Sequence, residues 1–174
     1  FKKTYKLEPG YIIRFDKKNQ ILKKDYWNSI KSFEKEKKNK FKGTFEDAKE
    51  NVKRHIDNSI KDRLVSDVPL GIFLSGGIDS SNIALSLYRQ NITANTFSIG
   101  FLNKNTNELN FANEVGKKLK TKHSYKYVND KDCIENIQSI VNAYDEPFSD
   151  PSQIPTYMLC KFLKKKNNSC YIWR

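Results

Sequence analysis

The segment Leu70–Ser81, LGIFLSGGIDSS, constrains the fold of this chain more than any other. Ile72, Phe73 and Leu74 form an apolar run of the buried-strand type. The run stops at Gly76 and Gly77, and Asn82–Arg89 continues with helical spacing that puts Ile83, Leu87 and Tyr88 on an inner face. A strand, a glycine turn and a helix start in direct succession read as a phosphate loop, a candidate anion site. Gly76 and Gly77 let the backbone bend tightly and bring its N–H groups to an anion, and the helix points its partial positive end at the same place. Ser75, Ser80 and Ser81 add hydroxyl donors. Asp79 stands apart from this set, because a carboxylate beside phosphates is repulsive unless a cation lies between them. That implies Mg²⁺, with Asp79 as its ligand. A Walker A loop is excluded, since no Gly-Lys-Ser/Thr closes the segment. The plain alternative is a glycine turn in an ordinary α/β domain, and the strand-then-helix context weighs toward the anion site as the setting that such a motif requires.

A chain of 174 residues is long enough for one domain with a real core. Its 32 Lys and Arg against 20 Asp and Glu, a net charge of +12, raise the question of a polyanionic partner. The lysines, however, concentrate in Lys35–Lys42 and Lys161–Lys166 without the arginine and aromatic residues that stack on bases, which reads as solvated faces and linker, not as a nucleic-acid surface. Cys133, Cys160 and Cys170 have neither metal-ligand spacing nor an even count. No apolar run approaches a membrane span, and Phe1 does not open a signal-peptide order of residues, so a cytoplasmic location is the default expectation.

Along the chain, residues 1–27 read as a strand-rich lead-in, with a turn at Pro9-Gly10 feeding Tyr11–Phe15, and residues 28–43 as a lysine-rich linker. A long helix follows. Thr44 is its N-cap with Asp47 three residues on, and Phe45, Ala48, Val52, Ile56, Ile60 and Leu64 recur at helical steps. Beyond the phosphate-loop helix, Ala94–Ile99 reads as a strand closed by Gly100, Phe101–Leu109 as a polar loop, Asn110–Leu119 as a helix, His123–Val128 as a strand and Asp132–Ala143 as a helix. This alternation predicts an α/β fold, a parallel sheet with helices on both faces. Ligands of such sheets sit beyond the carboxyl ends of the strands, where Leu74–Ser81, Ile99–Gly100 and the loop Asp145–Ser152 would gather.

That last loop is the second acidic feature. Tyr144–Pro155, YDEPFSDPSQIP, carries Asp145, Glu146 and Asp150 between prolines that limit its conformations, and it enters a helix over Thr156–Leu163. The three carboxylates suit a second Mg²⁺, the positioning of an amine nucleophile, or capping of the helix. His55 and His123 read as helix-surface and strand-edge residues.

SGGIDSS resembles the pyrophosphate loop of the ATP pyrophosphatases, the PP-loop superfamily, enzymes that activate a carboxylate or carbonyl as an adenylate. DVPLGIFLSGGIDSS, TFSIGF and YDEPFSDPSQIPTYML, in this order, resemble the C-terminal synthetase domain of glutamine-hydrolysing asparagine synthase, and YKLEPGYIIRFD with the later DYW resembles that family's junction between glutaminase and synthetase domains. The resemblance covers Tyr5 to about Lys165. It implies ATP and Mg²⁺, with an aspartate carboxylate attacking the α-phosphate and ammonia from glutamine displacing AMP. It implies that Ser75, Gly76, Gly77, Asp79, Ser80 and Ser81 hold pyrophosphate, that Leu74 and Ile99 flank the adenosine, and that the full-length enzyme has a glutaminase domain and room for a homodimer. Leu74 and Ile99 are equally ordinary core positions. Asp145, Glu146 and Asp150 leave the acceptor open, so a relative amidating another carboxylate or a sugar stays an alternative within the family, and a nonenzymatic basic binding module an alternative outside it.

The family's pattern continues past the Thr156 helix with a buried strand and a second glycine loop, VxLSGDGGDELFGGY, that these residues do not show. The chain therefore reads as a fragment: residues 1–27 the end of the glutaminase domain or the junction, 44–166 a truncated synthetase domain, and a sheet incomplete at its C-terminal side. Part of an adenylating site is expected to be inactive by itself. Residues 167–174, NNSCYIWR, show no strand period. Written in AT-rich codons and read one base later, they give Ile-Ile-Val-Val-Ile-Phe-Gly, which points to a one-base frameshift after the lysine run as the origin of this tail.

Overall fold

The computed structural model describes residues 2–18, 21–102, 108–144, 146, 149–166 and 171–173, with backbone alone for 166 and 171–173. Two compact units divide between Lys49 and Glu50. In the first, β1 (Tyr11–Phe15) pairs antiparallel with β2 (Ile21–Asp25), so the strand after the Pro9-Gly10 turn finds its partner within the lead-in. Lys23 forms an ion pair with Glu8 and lies 4.8 Å from the centre of the Tyr11 ring.

Residues 28–43, expected as linker, contain a helix, α1 (Ser29–Lys38). Asn28 caps it by accepting the Lys31 N–H at 3.0 Å, and Lys35, Lys37 and Lys38 occupy its last turn, where cations are favoured by the helix dipole. Low apolar content argued against a helix, yet capping and dipole complementarity support this one without any buried residue. The next helix, α2 (Phe45–Lys61), starts as expected: the Asp47 N–H donates to Thr44 Oγ1 at 3.2 Å, and Asp47 Oδ2 accepts from the Thr44 N–H and hydroxyl, both at 2.8 Å. Only the C-terminal part of its apolar stripe is covered. Ile56, Ile60 and Leu64 pack with Ile72, whereas Phe45 and Val52 are exposed.

The second unit holds a parallel sheet. Its strands are β3 (Leu70–Phe73), β4 (Asn95–Phe101), β5 (Lys122–Val128) and β6 (Tyr171–Trp173), in the order β5-β4-β3-β6. Between them run α3 (Ile78–Arg89), α4 (Glu108–Lys118), α5 (Asp130–Glu135), α6 (Ile137–Ala143) and α7 (Gln153–Lys166). Alternate residues of the central strands turn to opposite faces. Ile72 and Leu74 pack with α2, α3 and α4 through Ile60, Leu87, Ala84 and Ala112, while Phe73, Phe97 and Ile99 pack with Leu159, Phe162 and Leu163 of α7. Helices thus cover both faces, the α/β architecture read from the alternation.

Three local readings change. Tyr88 is 44 % exposed, so the inner face of α3 consists of Ile83, Ala84 and Leu87 without it. The helix expected over Asp132–Ala143 is two helices, because Asn136, at φ −103° and ψ 0°, ends α5 and begins α6. Residues 171–173, expected to lack strand character, form β6, with Leu70 opposite Tyr171 and Ile72 opposite Trp173. The open edge of β3 offers unpaired N–H and C=O groups, and Tyr-Ile-Trp consists of strong strand formers that take them up.

A polar network joins α2 to α3 inside this unit. Asp57 Oδ1 accepts from Ser86 Oγ at 2.5 Å and from Arg89 Nη2 at 2.6 Å. The Arg89 hydrogen bond holds the Asp57 carboxyl below the usual carboxylate range, against the opposing effect of burial.

Candidate functional site

At the carboxyl end of β3 the chain turns from strand to helix through Ser75–Gly77. Gly76 takes φ +81°, the left-handed region that a side chain disfavours, and a Cβ there would lie 2.6 Å from Phe111 Cβ and 2.6 Å from the Ala112 nitrogen on α4. Gly77 differs. It is extended, at φ −69° and ψ 163°, and its Cβ would meet only Ser75 Oγ at 3.3 Å. One glycine of the pair makes the turn and the other serves as N-cap of α3.

Hydroxyls brace the turn from within. Ser75 and Ser80 Oγ atoms are 3.1 Å apart, Ser80 Oγ accepts from the Ser75 N–H at 3.2 Å, and Ser75 Oγ accepts from the Gly77 N–H at 3.2 Å. The first intrahelical bond of α3 runs from the Ser81 N–H to Gly77 O at 3.0 Å, so the N–H groups of Ile78, Asp79 and Ser80 precede the ladder and point out of the helix end. Donors and dipole coincide there, as an anion site requires.

A cavity of about 680 Å³ opens over this turn. Ser75, Asp79 and Ser80 form one wall, Leu74, Ser98, Ile99 and Gly100 the strand ends, Glu108, Leu109 and Ala112 the first turn of α4, and Pro151, Ser152, Pro155 and Thr156 the start of α7. Leu74, Ser75, Asp79 and Ser80, Ile99–Gly100 and the end of the proline-rich loop gather beyond the strand ends as expected, whereas Gly76 and Gly77 do not line the cavity. Ser81 does not line the cavity; its Oγ is buried without a hydrogen-bond partner. Leu74 is 1 % exposed, its N–H donates to Phe97 O at 2.9 Å, and its carbonyl accepts from the buried Ser98 hydroxyl. Leu74 and Ile99 therefore both line the cavity and pack in the core.

The acidic loop behaves differently from the phosphate loop. Asp150 Oδ1 accepts the Ser152 N–H at 2.8 Å, an Asx turn just ahead of α7, and Asp150 does not line the cavity. Glu146 is exposed, and Asp145 lies outside the described residues. Glu108 is the acidic residue that sequence reasoning missed. It falls in the segment expected as a polar loop, and its one local signal is its place before the apolar spacing of Leu109, Ala112 and Val115.

Asp79 and Glu108 are the charged groups among the described lining residues, and neither Lys nor Arg joins them. A phosphate chain in this cavity therefore needs a counter-cation. Among the described residues no group of three or more His, Cys, Asp and Glu could hold a metal. The donor set suits Mg²⁺ held by one or two carboxylates together with phosphate oxygens, the usual arrangement for that ion. His55 is exposed on α2, and His123, on the edge strand β5, lies with Nδ1 2.9 Å from Thr96 Oγ1 and a buried Nε2 lacking a partner, so burial pushes its pKa below the ordinary imidazole range. Neither histidine reaches the cavity. Among the described residues no helix is long and apolar enough to cross a membrane.

The sequence model of asparagine synthase matches residues 51–170. The chain is 34% identical over 169 residues to a putative asparagine synthetase [glutamine-hydrolyzing] 2 of Methanocaldococcus jannaschii, covering 95% of this chain and 31% of that protein. It is 35% identical over 114 residues to asparagine synthetase [glutamine-hydrolyzing] 1 of Bacillus subtilis, covering 66% of this chain and 18% of that protein. It thus spans less than a third of the length of either relative. Among solved structures, an NMN synthetase from Francisella tularensis is similar at a TM-score of 0.47 and 16% identity, over 68% of this chain and 51% of that one. The phosphate loop, the strand ends and the proline-rich start of α7 all fall within the matched residues, and the chain belongs to the asparagine synthase family.

Proposed function

We propose that this chain binds ATP as its magnesium complex and carries the adenylating part of a glutamine-hydrolysing asparagine synthetase, a ligase. In the full reaction a side-chain carboxylate oxygen of aspartate attacks the α-phosphorus of ATP, the bond between the α-phosphorus and its bridging oxygen breaks, and pyrophosphate leaves. Ammonia derived from glutamine then attacks the acyl carbon, and AMP departs as asparagine forms and a proton is lost.

One observation carries the reading: Ser75, Asp79 and Ser80, the ends of β3 and β4 and the start of α7 line one cavity large enough for a nucleotide, in a chain of this family. The N–H groups of the first turn of α3 and the hydroxyls of Ser75 and Ser80 would receive the β- and γ-phosphates. Asp79 would hold Mg²⁺, which when bound offsets the charge growing on the leaving pyrophosphate. Leu74 and Ile99 would contribute apolar surface to the adenosine. Leu74 has both backbone polar groups engaged within the protein, so its contribution is contact and not readout.

Calorimetric titration tests this. The Mg²⁺ complex of ATP is expected to bind, pyrophosphate and AMP to compete with it, and Asp79→Asn to weaken binding by about tenfold or more through loss of a charged ligand. Binding that is equally tight in Asp79→Asn refutes the assignment of Asp79, and absence of any nucleotide binding refutes the reading.

A further inference from the structure

A second cavity, of about 460 Å³, shares no lining residue with the first and lies between β5, the α5–α6 junction and α7. Three ammonium groups line it: Lys126 from β5, and Lys161 and Lys165, one turn apart on α7. No ion pair among the described residues takes up any of the three. Two carboxylates also line the cavity, each with a partner outside it. Asp132 accepts the Asn129 N–H at 3.0 Å within a capping box, and Glu135 lies 3.8 Å from Lys131.

Lys161 is also held in place. Asn136, 9 % exposed at the junction of α5 and α6, donates from Nδ2 to Asp132 O at 2.6 Å and accepts Lys161 Nζ on Oδ1 at 2.5 Å. A lysine normally loses much side-chain freedom on engaging a ligand, and this one has already lost part of it. The buried Met158 and the half-buried Phe162 supply an apolar floor beneath the charges. The lysine run Lys161–Lys166, which the nucleotide site does not use, thus places two of its members in a groove.

We propose that this groove binds a phosphate monoester carried on a small apolar group. A monoester brings up to two negative charges and three acceptor oxygens, matching three ammonium donors better than a monocarboxylate does. The apolar group would rest on Phe162. An extended polyanion fits less well, because its neighbouring phosphates would pass Asp132 and Glu135.

The test is a titration of the intact chain with phenyl phosphate, methyl phosphate and a single-stranded oligonucleotide. Phenyl phosphate is expected to bind about tenfold tighter than methyl phosphate through the apolar floor, and Lys161→Met/Lys165→Met to weaken it by about tenfold. Lys161→Met also takes the partner from the buried Asn136 Oδ1, so Lys165→Met alone, at an exposed position, is the second variant, expected to weaken phenyl phosphate severalfold with the circular dichroism of the parent. Competition between phenyl phosphate and the magnesium complex of ATP would place the ligand in the first cavity and overturn the proposal. So would undiminished binding in the double variant, no saturable binding in the millimolar range, or an oligonucleotide binding more tightly than the monoester.

Discussion

Replacing Gly76 by alanine separates the two glycines of the phosphate loop, which look equivalent in SGGIDSS. The new Cβ would sit 2.6 Å from the Ala112 nitrogen and 2.6 Å from Phe111 Cβ, on a backbone at φ +81°. Left-handed backbone at a residue other than glycine costs about 1–2 kcal/mol. Forcing a methyl against helix backbone that cannot turn aside adds about 1–3 kcal/mol of overpacking. The sum, about 3 kcal/mol, is a large share of a domain's stability of about 5–15 kcal/mol and corresponds to a fall in Tm of about 6–12 °C. Gly77→Ala is the internal control. Its φ of −69° suits any residue, and its nearest neighbour, Ser75 Oγ at 3.3 Å, is a rotatable hydroxyl, so a change under about 1 kcal/mol is expected. Urea unfolding of the two variants followed by circular dichroism measures both. A Gly76→Ala variant within about 1 kcal/mol of Gly77→Ala would refute the argument that α4 backbone, and not loop composition, sets the requirement for glycine.

The remaining predictions concern groups on the sheet's α3 and α4 side. Asp57→Asn is expected to cost about 2 kcal/mol above the ordinary carboxylate pKa of about 4, because Arg89 loses its charged acceptor. The Asp57 pKa is lowered in the fold, so this contribution fades as pH falls through the folded value, and urea titrations at several pH values should show the two proteins converging in acid. For His123 burial also lowers the folded pKa, so stability should decline as pH drops from about 6.5 through that lower value, and His123→Gln should remove this limb of the unfolding profile. Ser98→Ala leaves the Leu74 carbonyl without its hydroxyl partner at the start of the phosphate loop. It should weaken binding of the magnesium complex of ATP and of adenosine alike, since Leu74 is assigned to the adenosine, and competition titrations showing both unchanged would refute this role of the bond.

By itself the amino-acid order determined whatever depends on neighbours along the chain. The Thr44–Asp47 cap, the strand–turn–helix at Leu70–Arg89 and the alternation of strands with helices all follow from local spacing and from donors within one turn. The family was legible for the same reason, since its motifs are contiguous segments. Contacts between distant segments decided the rest. Gly76 resists a side chain because α4 lies against it, and Glu108 lines the cavity with Asp79 because the first turn of α4 arrives there. Asn136 divides a helix that periodicity left continuous, while its side chain reaches Lys161, 25 residues away. Tyr171–Trp173 become a strand only because β3 has an open edge for them to pair with. Periodicity reports which side of an element is apolar, but not which other segment arrives to cover it, since that choice is made by long-range packing and strand pairing.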